Sequence, residues 1–334
     1  MPKAKDQIIE ELEKELRAKG ALILSNSKIK KRRTCDRAYN YKYVEKLTKK
    51  AKGSALVRGS AIHECIEWYN TGKSWKKSWK NFKKEWEETY LLEEKEEMGD
   101  IPKMVYDLME GYVEYWSDEE IEYIESELEF LLPLCTYKGT EIWIKGFIDF
   151  IAKDPKGNIW IGETKTHKRW PDESVRLFNQ QSSIYIWALE QLGYKKVKGV
   201  IWNYVRAKQP TVPQRLKSGR LSKQRCDSIP TVVERYLIEQ GENLKDWNEF
   251  ITALNWDDFY RRYEERVSRE VVRSVMEDVI ETAKDIIDKP DRKARNMNSQ
   301  GCQWCDYAPI CEAELTGADV SFIIKSKYER GEKK

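Results

Sequence analysis

Three residues on two neighbouring stretches carry groups that could hydrolyse a phosphodiester. Asp149 closes Gly146-Phe147-Ile148-Asp149, and Glu163 and Lys165 bracket Thr164 in Glu163-Thr164-Lys165. Such hydrolysis needs a cation that holds the phosphate and lowers the pKa of the attacking water. Mg²⁺ takes hard oxygen ligands, usually a few carboxylates and waters. An ammonium nearby can orient the water and meet the charge that develops. Two carboxylates and a lysine converging from adjacent strands would supply all of this.

The elements around them fit that need. Residues 127–137, 141–152 and 159–166 alternate apolar residues with the period of strands. Asp154-Pro155-Lys156-Gly157-Asn158 is a turn, so the second and third of these strands form a hairpin. Glu163 and Lys165, two apart on a strand, project to one face, and Asp149 meets them if the register places it opposite. A helix over 172–192 and a strand over 197–206 follow. Upstream, 54–70 reads as a helix, with Ala61, Cys65 and Trp68 on a shared face. By itself Glu-x-Lys is an ordinary surface ion pair. The apolar neighbours Phe147, Ile148, Phe150, Ile159, Trp160 and Ile161 argue against a solvated hairpin.

These residues resemble the RecB-type nucleases of the PD-(D/E)XK superfamily. Gly59-Ser60-Ala61-Ile62-His63 is similar to that family's upstream helix, and Gln181-Ser182-Ser183-Ile184-Tyr185 to its Q-x-x-x-Y helix. Gln180 is also present, but Gln181 has the spacing to Tyr185. The resemblance implies that Asp149 and Glu163 hold Mg²⁺ or Mn²⁺, with His63 and the backbone carbonyl of Thr164 completing the shell. It further implies that Lys165 orients the water or stabilises the transition state, and that Gln181 and Tyr185 position the strand being cut. Glu67, four residues after His63, is a candidate supporting group. His167 shares the face of Lys165.

A second constellation is cysteine. Cys302-Gln303-Trp304-Cys305 is C-x-x-C, and Cys311 follows, which puts three thiolates within reach of one metal centre. Cys35, in Arg33-Thr34-Cys35-Asp36-Arg37, is the candidate fourth. Thiolate chemistry alone leaves a 4Fe–4S cluster and a structural Zn²⁺ both open. One cysteine before the core and three after it resembles the iron–sulfur nucleases: the AddB nuclease domain, the Dna-type replication helicase–nucleases and the CRISPR-adaptation nucleases. That resemblance implies a 4Fe–4S cluster joining the two ends of the chain. Closing so long a loop would restrict the unfolded ensemble by about 4–5 kcal/mol, by analogy with a disulfide. It would fix the basic segment carrying Lys31, Arg32, Arg33 and Arg37 as a DNA-binding wall. Cys65 and Cys135 read as small core residues, and Cys226 as no ligand.

Composition narrows the setting. Lys and Arg number 60 against 57 Asp and Glu, so a net charge of +3 leaves nucleic-acid binding to local patches. No stretch reaches the roughly 20 apolar residues of a membrane span, and the first twenty residues carry no apolar signal core. The expectation is a cytoplasmic, reducing setting in which the seven cysteines are not a disulfide framework. No G-x-x-x-x-G-K-[ST] motif occurs, so unwinding would need a partner.

The expected fold is α/β: a PD-(D/E)XK, restriction-endonuclease-like core with a central mixed sheet flanked by helices. The expected organisation is an N-terminal helix over 1–25, then the nuclease core over 26–206 with a helical insertion at about 71–126. A mobile basic loop at 207–228 opens a helical region to 290. The three-cysteine segment follows at 291–317, then a polar tail at 318–334 that frays beyond Tyr328. The expected activity is a metal-dependent DNA exonuclease acting on single-stranded DNA or free ends, with a recombinase or helicase as partner. A virus-encoded or CRISPR-adaptation setting fits such a stand-alone enzyme. A non-catalytic nucleic-acid-binding module on the same fold and a zinc-stabilised adaptor remain alternatives.

Overall fold

The computed structural model describes residues 4–50 and 53–331. The chain begins with the amphipathic helix Ala4–Ala18 (α1), which buries Leu16. It ends well before residue 25, and Leu22–Leu24 (β1) enters the sheet instead. Asn26–Thr34 (α2) starts at Ser25, whose hydroxyl accepts the N–H of Lys28. Leu47–Lys49 (β2) precedes the helix Ser54–Asn70 (α3). Trp75–Thr89 (α4), Leu92–Met98 (α5) and Ile101–Tyr115 (α6) form the helical insertion. The insertion closes earlier than its aromatic, charged pattern suggests, because Glu122–Tyr137 (β3) is already strand.

Thr140–Lys153 (β4) and Ile159–His167 (β5) make the expected hairpin. The helix expected from residue 172 is broken: a single turn at Ser174–Leu177 precedes Gln180–Gln191 (α7), which Asn179 caps. Val197–Arg206 (β6) lies parallel to β5. Beyond it come Pro230–Glu239 (α8), the strand Tyr260–Arg266 (β7) and the long helix Arg269–Asp288 (α9). Ala308–Thr316 (α10), Val320–Lys327 (α11) and Tyr328–Arg330 (β8) complete the chain.

The principal sheet runs β1-β4-β5-β6-β7, with β3 along the other edge of β4. It is mixed: β1 on β4 and β5 on β6 are parallel, and the remaining pairs are antiparallel. Helices cover both faces. On one, Ile184, Ala188 and Leu189 of α7 and Met276 and Val279 of α9 pack with Ile144, Ile148, Ile161 and Trp202. On the other, Ala61 and Ile62 of α3 and Leu108 and Tyr112 of α6 pack with Val205 and Tyr260. Burying both faces explains the nearly continuous apolar run of β6.

Because β3 occupies one edge of β4 along its whole length, β1 and β5 must share the other. β5 pairs at 150–153 and β1 at 142–144, which leaves 145–149 without a strand partner on that edge. Asp149 stands at the end of this gap, where β4 and β5 part.

Two further expectations differ from the structure. The segment 207–228 is irregular but tied down: Arg206 and Lys208 pair with Asp227, Thr211 N–H donates to the Asp227 carbonyl, and Leu221 is buried. The tail expected to fray beyond Tyr328 is still paired there, because β8 runs antiparallel to β2 as far as Arg330 and Tyr328 is buried against Tyr307, while 332–334 lie outside the described residues. Among the described residues no helix is long and apolar enough to cross a membrane.

Candidate functional site

The hairpin register sets the site. Pairing between β4 and β5 stops at Phe150–Gly162, and the next positions outward are Asp149 and Glu163. There the strands diverge, and the Asp149 carboxylate takes over from the ladder, accepting the Thr164 N–H at 2.7 Å. On β3, Glu127 lies opposite this point with φ of 51°, between the pairs Ser126–Phe150 and Leu128–Ile148. β4 is irregular here too. Ile148 and Ile151 both reach the principal core, whereas Phe150 and Ala152 pack on a separate cluster with Trp160. A straight strand would place residues two apart, not three, on one face.

Helices from both faces close on the divergence. α3 brings His63, whose Nδ1 is 3.6 Å from Asp149 Oδ2 and whose imidazole lies beside the Thr164 backbone. Gly59, one turn earlier, permits this approach, since a Cβ there would sit 3.1 Å from Thr166 Oγ1. α7 brings Gln181, whose Nε2 lies 3.1 Å from both Glu163 oxygens and donates to the Tyr185 hydroxyl at 2.9 Å. The Lys165 ammonium bonds Glu163 directly. Gln180, by contrast, turns away to Arg33 and Asn26. His167 packs on the Tyr204 ring, 5.5 Å between centroids, rather than on the carboxylates.

The electrostatics follow from burial. Glu163 is 4% exposed. Loss of solvent, then the neighbouring charge of Asp149, raises its pKa above the ordinary carboxylate value. Asp149 is raised as well, burial outweighing the Thr164 N–H and Lys165. Burial and then the Lys165 charge hold His63 down to about 4, so it stays neutral and can act as a ligand at neutral pH. Glu127 is pushed up to about 7 by loss of solvent and by Asp149, Glu67 and Glu163. Two crowded carboxylates, a neutral imidazole and a backbone carbonyl are a donor set that suits a hard divalent cation. Among the described residues no group of three His, Cys, Asp or Glu is arranged as a finished metal site, and Lys165 and Gln181 occupy the Glu163 oxygens.

Glu127 and Asn203 were not singled out from sequence. Nothing distinguishes Glu127 within Glu125-Ser126-Glu127-Leu128-Glu129. Asn203 had a signal, a polar residue inside Val200-Ile201-Trp202-Asn203-Tyr204. It is fully buried, donates to Thr164 Oγ1 at 3.2 Å and to the Tyr112 hydroxyl at 3.0 Å, and accepts from Arg262 at 3.0 Å. This network braces β5 from behind the carboxylates.

The basic segment expected as a DNA wall also makes contacts within the fold. Arg32 is buried, pairing with Asp285 and Asp36 and donating to the Lys289 carbonyl. Arg33 donates to Thr282, Gln180 and the Asp278 carbonyl, and Arg37 pairs with Glu314. These arginines dock α2 and the turn after it onto α9 and α10, while Arg32 Nη1 is buried without a partner among the described residues. Lys31 is half-buried on the same helix.

The four cysteines gather from both ends of the chain. Cys35 and Cys305 pack on one small core with Tyr41, Tyr307 and Ile310. Cys35 Sγ lies 3.9 Å from the Ala294 carbonyl, Cys302 Sγ 4.0 Å from that of Asn296, and Arg295 Nε donates to Cys311 Sγ at 3.3 Å. All three approach the segment 294–296, but as placed they do not form a ligand set. Cys65 is buried in the α3 core, and Cys135 and Cys226 pack against other clusters.

A family model described as the PD-(D/E)XK nuclease superfamily matches residues 23–312. Among solved structures, the chain is similar to one described as "Crystal structure of SSO0001", with 15% identity, a TM-score of 0.35, and coverage of 92% of this chain and 98% of that one. Comparison with curated proteins gives no match.

Proposed function

The chain belongs to the PD-(D/E)XK nuclease superfamily, and we propose that it is a metal-dependent deoxyribonuclease of the RecB-like, iron–sulfur type. In this reading it is an exonuclease that processes DNA ends in recombination, repair or replication, alongside a recombinase or helicase. The observation that carries the reading is the meeting of Asp149, Glu163, Lys165, His63, Thr164, Gln181 and Tyr185 where β4 and β5 part.

Asp149, Glu163, His63 and the Thr164 carbonyl would hold Mg²⁺ or Mn²⁺. The bound ion would supply the charge that polarises the phosphate and acidifies water. The chain's own groups do the rest. The Thr164 N–H fixes the Asp149 carboxylate through one of its oxygens. The Lys165 ammonium stands beside Glu163, placed to orient the water and to meet negative charge on the phosphate. Gln181 holds both Glu163 oxygens and bonds Tyr185, which packs beside Gly146 of β4. Neutral His63 adds a donor without adding charge that would repel the cation.

Cys35, Cys302, Cys305 and Cys311 are the proposed ligands of a 4Fe–4S cluster, with Zn²⁺ the alternative occupant of four thiolates. The support is the approach of Cys35, Cys302 and Cys311 to one segment, with Cys35 and Cys305 packed on one small core. No step of cleavage is assigned to it.

The test uses end-labelled DNA with Mg²⁺ or Mn²⁺. Lys165→Ala should lower cleavage by about 10²–10³ while DNA affinity measured without metal stays near wild type. Wild-type protein that binds DNA but never cuts it would move the assignment to a non-catalytic binding module.

A further inference from the structure

A basic cavity that plays no part in the cleavage chemistry lies on the same open edge of β4. It has a volume of about 710 Å³, between α1, the end of β1, the start of α2 and the 42–46 turn. Six cations line it against two carboxylates, Glu10 and Glu13. Some of that charge is matched: Lys14 pairs with Glu10, Arg17 with Glu13, and Lys145 with Glu13 and Glu129.

Lys28 is not matched. Its ammonium reaches back to donate to the Ile23 carbonyl at 2.8 Å, and among the described residues no carboxylate pairs with it. Burial and the charge of Arg17 pull its pKa down to about 8, the behaviour of a cation lacking its counter-ion. Lys42 is also without a carboxylate among the described residues; its ammonium lies 5.4 Å over the Tyr43 ring, with that of Lys28 at 5.9 Å. The N-terminus of α2 opens into the same space at Ser25, with no acidic residue in its first turn. Surplus positive charge, an uncompensated ammonium and a positive helix end together describe a phosphate site.

Its position says which phosphate. Lys145 stands at one end of the unpaired stretch of β4 and Asp149 at the other. Four residues of strand span about 13 Å, a distance an extended nucleic-acid strand covers in a few nucleotides. The rim is tied to the cleavage helix, since Gln180 of α7 donates to Asn26 at 2.8 Å.

We infer that this cavity binds the terminal phosphate of the nucleic-acid strand whose next phosphodiesters lie at Asp149 and Glu163, so that the protein recognises a phosphorylated end. The link to cleavage rests on the nuclease reading; the affinity for phosphate does not.

Fluorescence anisotropy on the full chain in EDTA tests it, with oligonucleotides carrying a 5′-phosphate, a 3′-phosphate or hydroxyls at both ends. One phosphorylated form should bind about tenfold tighter than its hydroxyl counterpart, as one or two charge-assisted hydrogen bonds supply. Lys28→Met should abolish that preference. Lys42→Ala, which leaves the Lys28–Ile23 bond intact, should weaken it, and inorganic phosphate should compete for the increment alone. Equal affinity for all ends, or a preference that survives both substitutions, overturns the assignment. So does inorganic phosphate binding with no preference for a phosphorylated strand, which would make this a free-phosphate site. An end preference without Mg²⁺-dependent cutting would sink the nuclease reading and leave the cavity assignment standing.

Discussion

Asp149→Asn should make the metal-free protein more heat-stable above neutral pH, although it removes a residue proposed for catalysis. Asp149 and Glu163 lie one position beyond the last opposed pair of β4 and β5, where Cβ atoms are about 5 Å apart, and we take about 5 Å as the shortest separation of their charges. Two carboxylates at that separation repel by about 3 kcal/mol at an effective dielectric of about 20. Lys165 offsets part of this, so the net cost is about 1–3 kcal/mol. The sign follows from linkage. Both folded-state pKa values are raised, so the cost is absent below about pH 4, where the carboxyls are protonated folded or unfolded. It grows as pH rises and is complete above about pH 7. Asparagine keeps an oxygen for the Thr164 N–H and removes the charge. With about 2.1 cal/mol/K of unfolding entropy per residue over 334 residues, the total is about 0.7 kcal/mol/K if the chain melts as one unit. The variant's Tm in EDTA at pH 8 should then rise by about 1.5–4 °C, and the rise should vanish near pH 4. Mg²⁺ at about a hundred times its Kd should add about 2.7 kcal/mol to wild type and little to the variant. Differential scanning calorimetry at the two pH values, with and without Mg²⁺, reads all of this. An Asp149→Asn variant that melts below wild type at pH 8 in EDTA would refute the reasoning and make Asp149 a structural acceptor.

Gly146→Ala should cost about 1–3 kcal/mol and also slow cleavage, because its Cβ would meet Phe130 at 2.6 Å and Tyr185 at 3.0 Å; urea melts and kcat, measured together, check it. Asp107→Ala should destabilise by about 2–4 kcal/mol, below the full cost of breaking a buried pair because Lys103 and Arg235 reach solvent; chemical denaturation reads this, and the loss should fall on the contact between α6 and α8. Cys302→Ala should lower iron per chain after anaerobic purification, whereas a wild type carrying one zinc and no iron would replace the cluster with a structural zinc.

The site was legible where chemistry and periodicity coincide. Glu163 and Lys165 sit two apart on an apolar strand, and Gln181 and Tyr185 four apart on a helix. Each spacing fixes a face before any fold is known. The distinction between Gln180 and Gln181 survived for the same reason: one residue along a helix turns the side chain by about 100°, from Glu163 to Arg33. β1 escaped because three residues are too few to show a period. β7 escaped because Tyr260-Arg261-Arg262-Tyr263-Glu264-Glu265-Arg266 has charge where a strand usually has apolar residues. Its inward Arg262 is satisfied by Glu119, Tyr112 and Asn203, partners that no local pattern reveals.

The basic segment shows the same limit more sharply. Arg32, Arg33 and Arg37 look like a surface for phosphates when the sequence around them is read alone. Asp285 and Glu314, the counter-charges of Arg32 and Arg37, lie at the far end of the chain, as do the Thr282 and Asp278 acceptors of Arg33, so only the folded topology shows these contacts. With 60 basic and 57 acidic residues, cations and carboxylates are nearly matched in number. Under such a balance, a binding site is marked by the cation whose partner is missing rather than by the density of cations. By that criterion Lys28, inconspicuous among its neighbours in sequence, is a better candidate for meeting a phosphate than Arg32 and Arg37, which are paired with carboxylates.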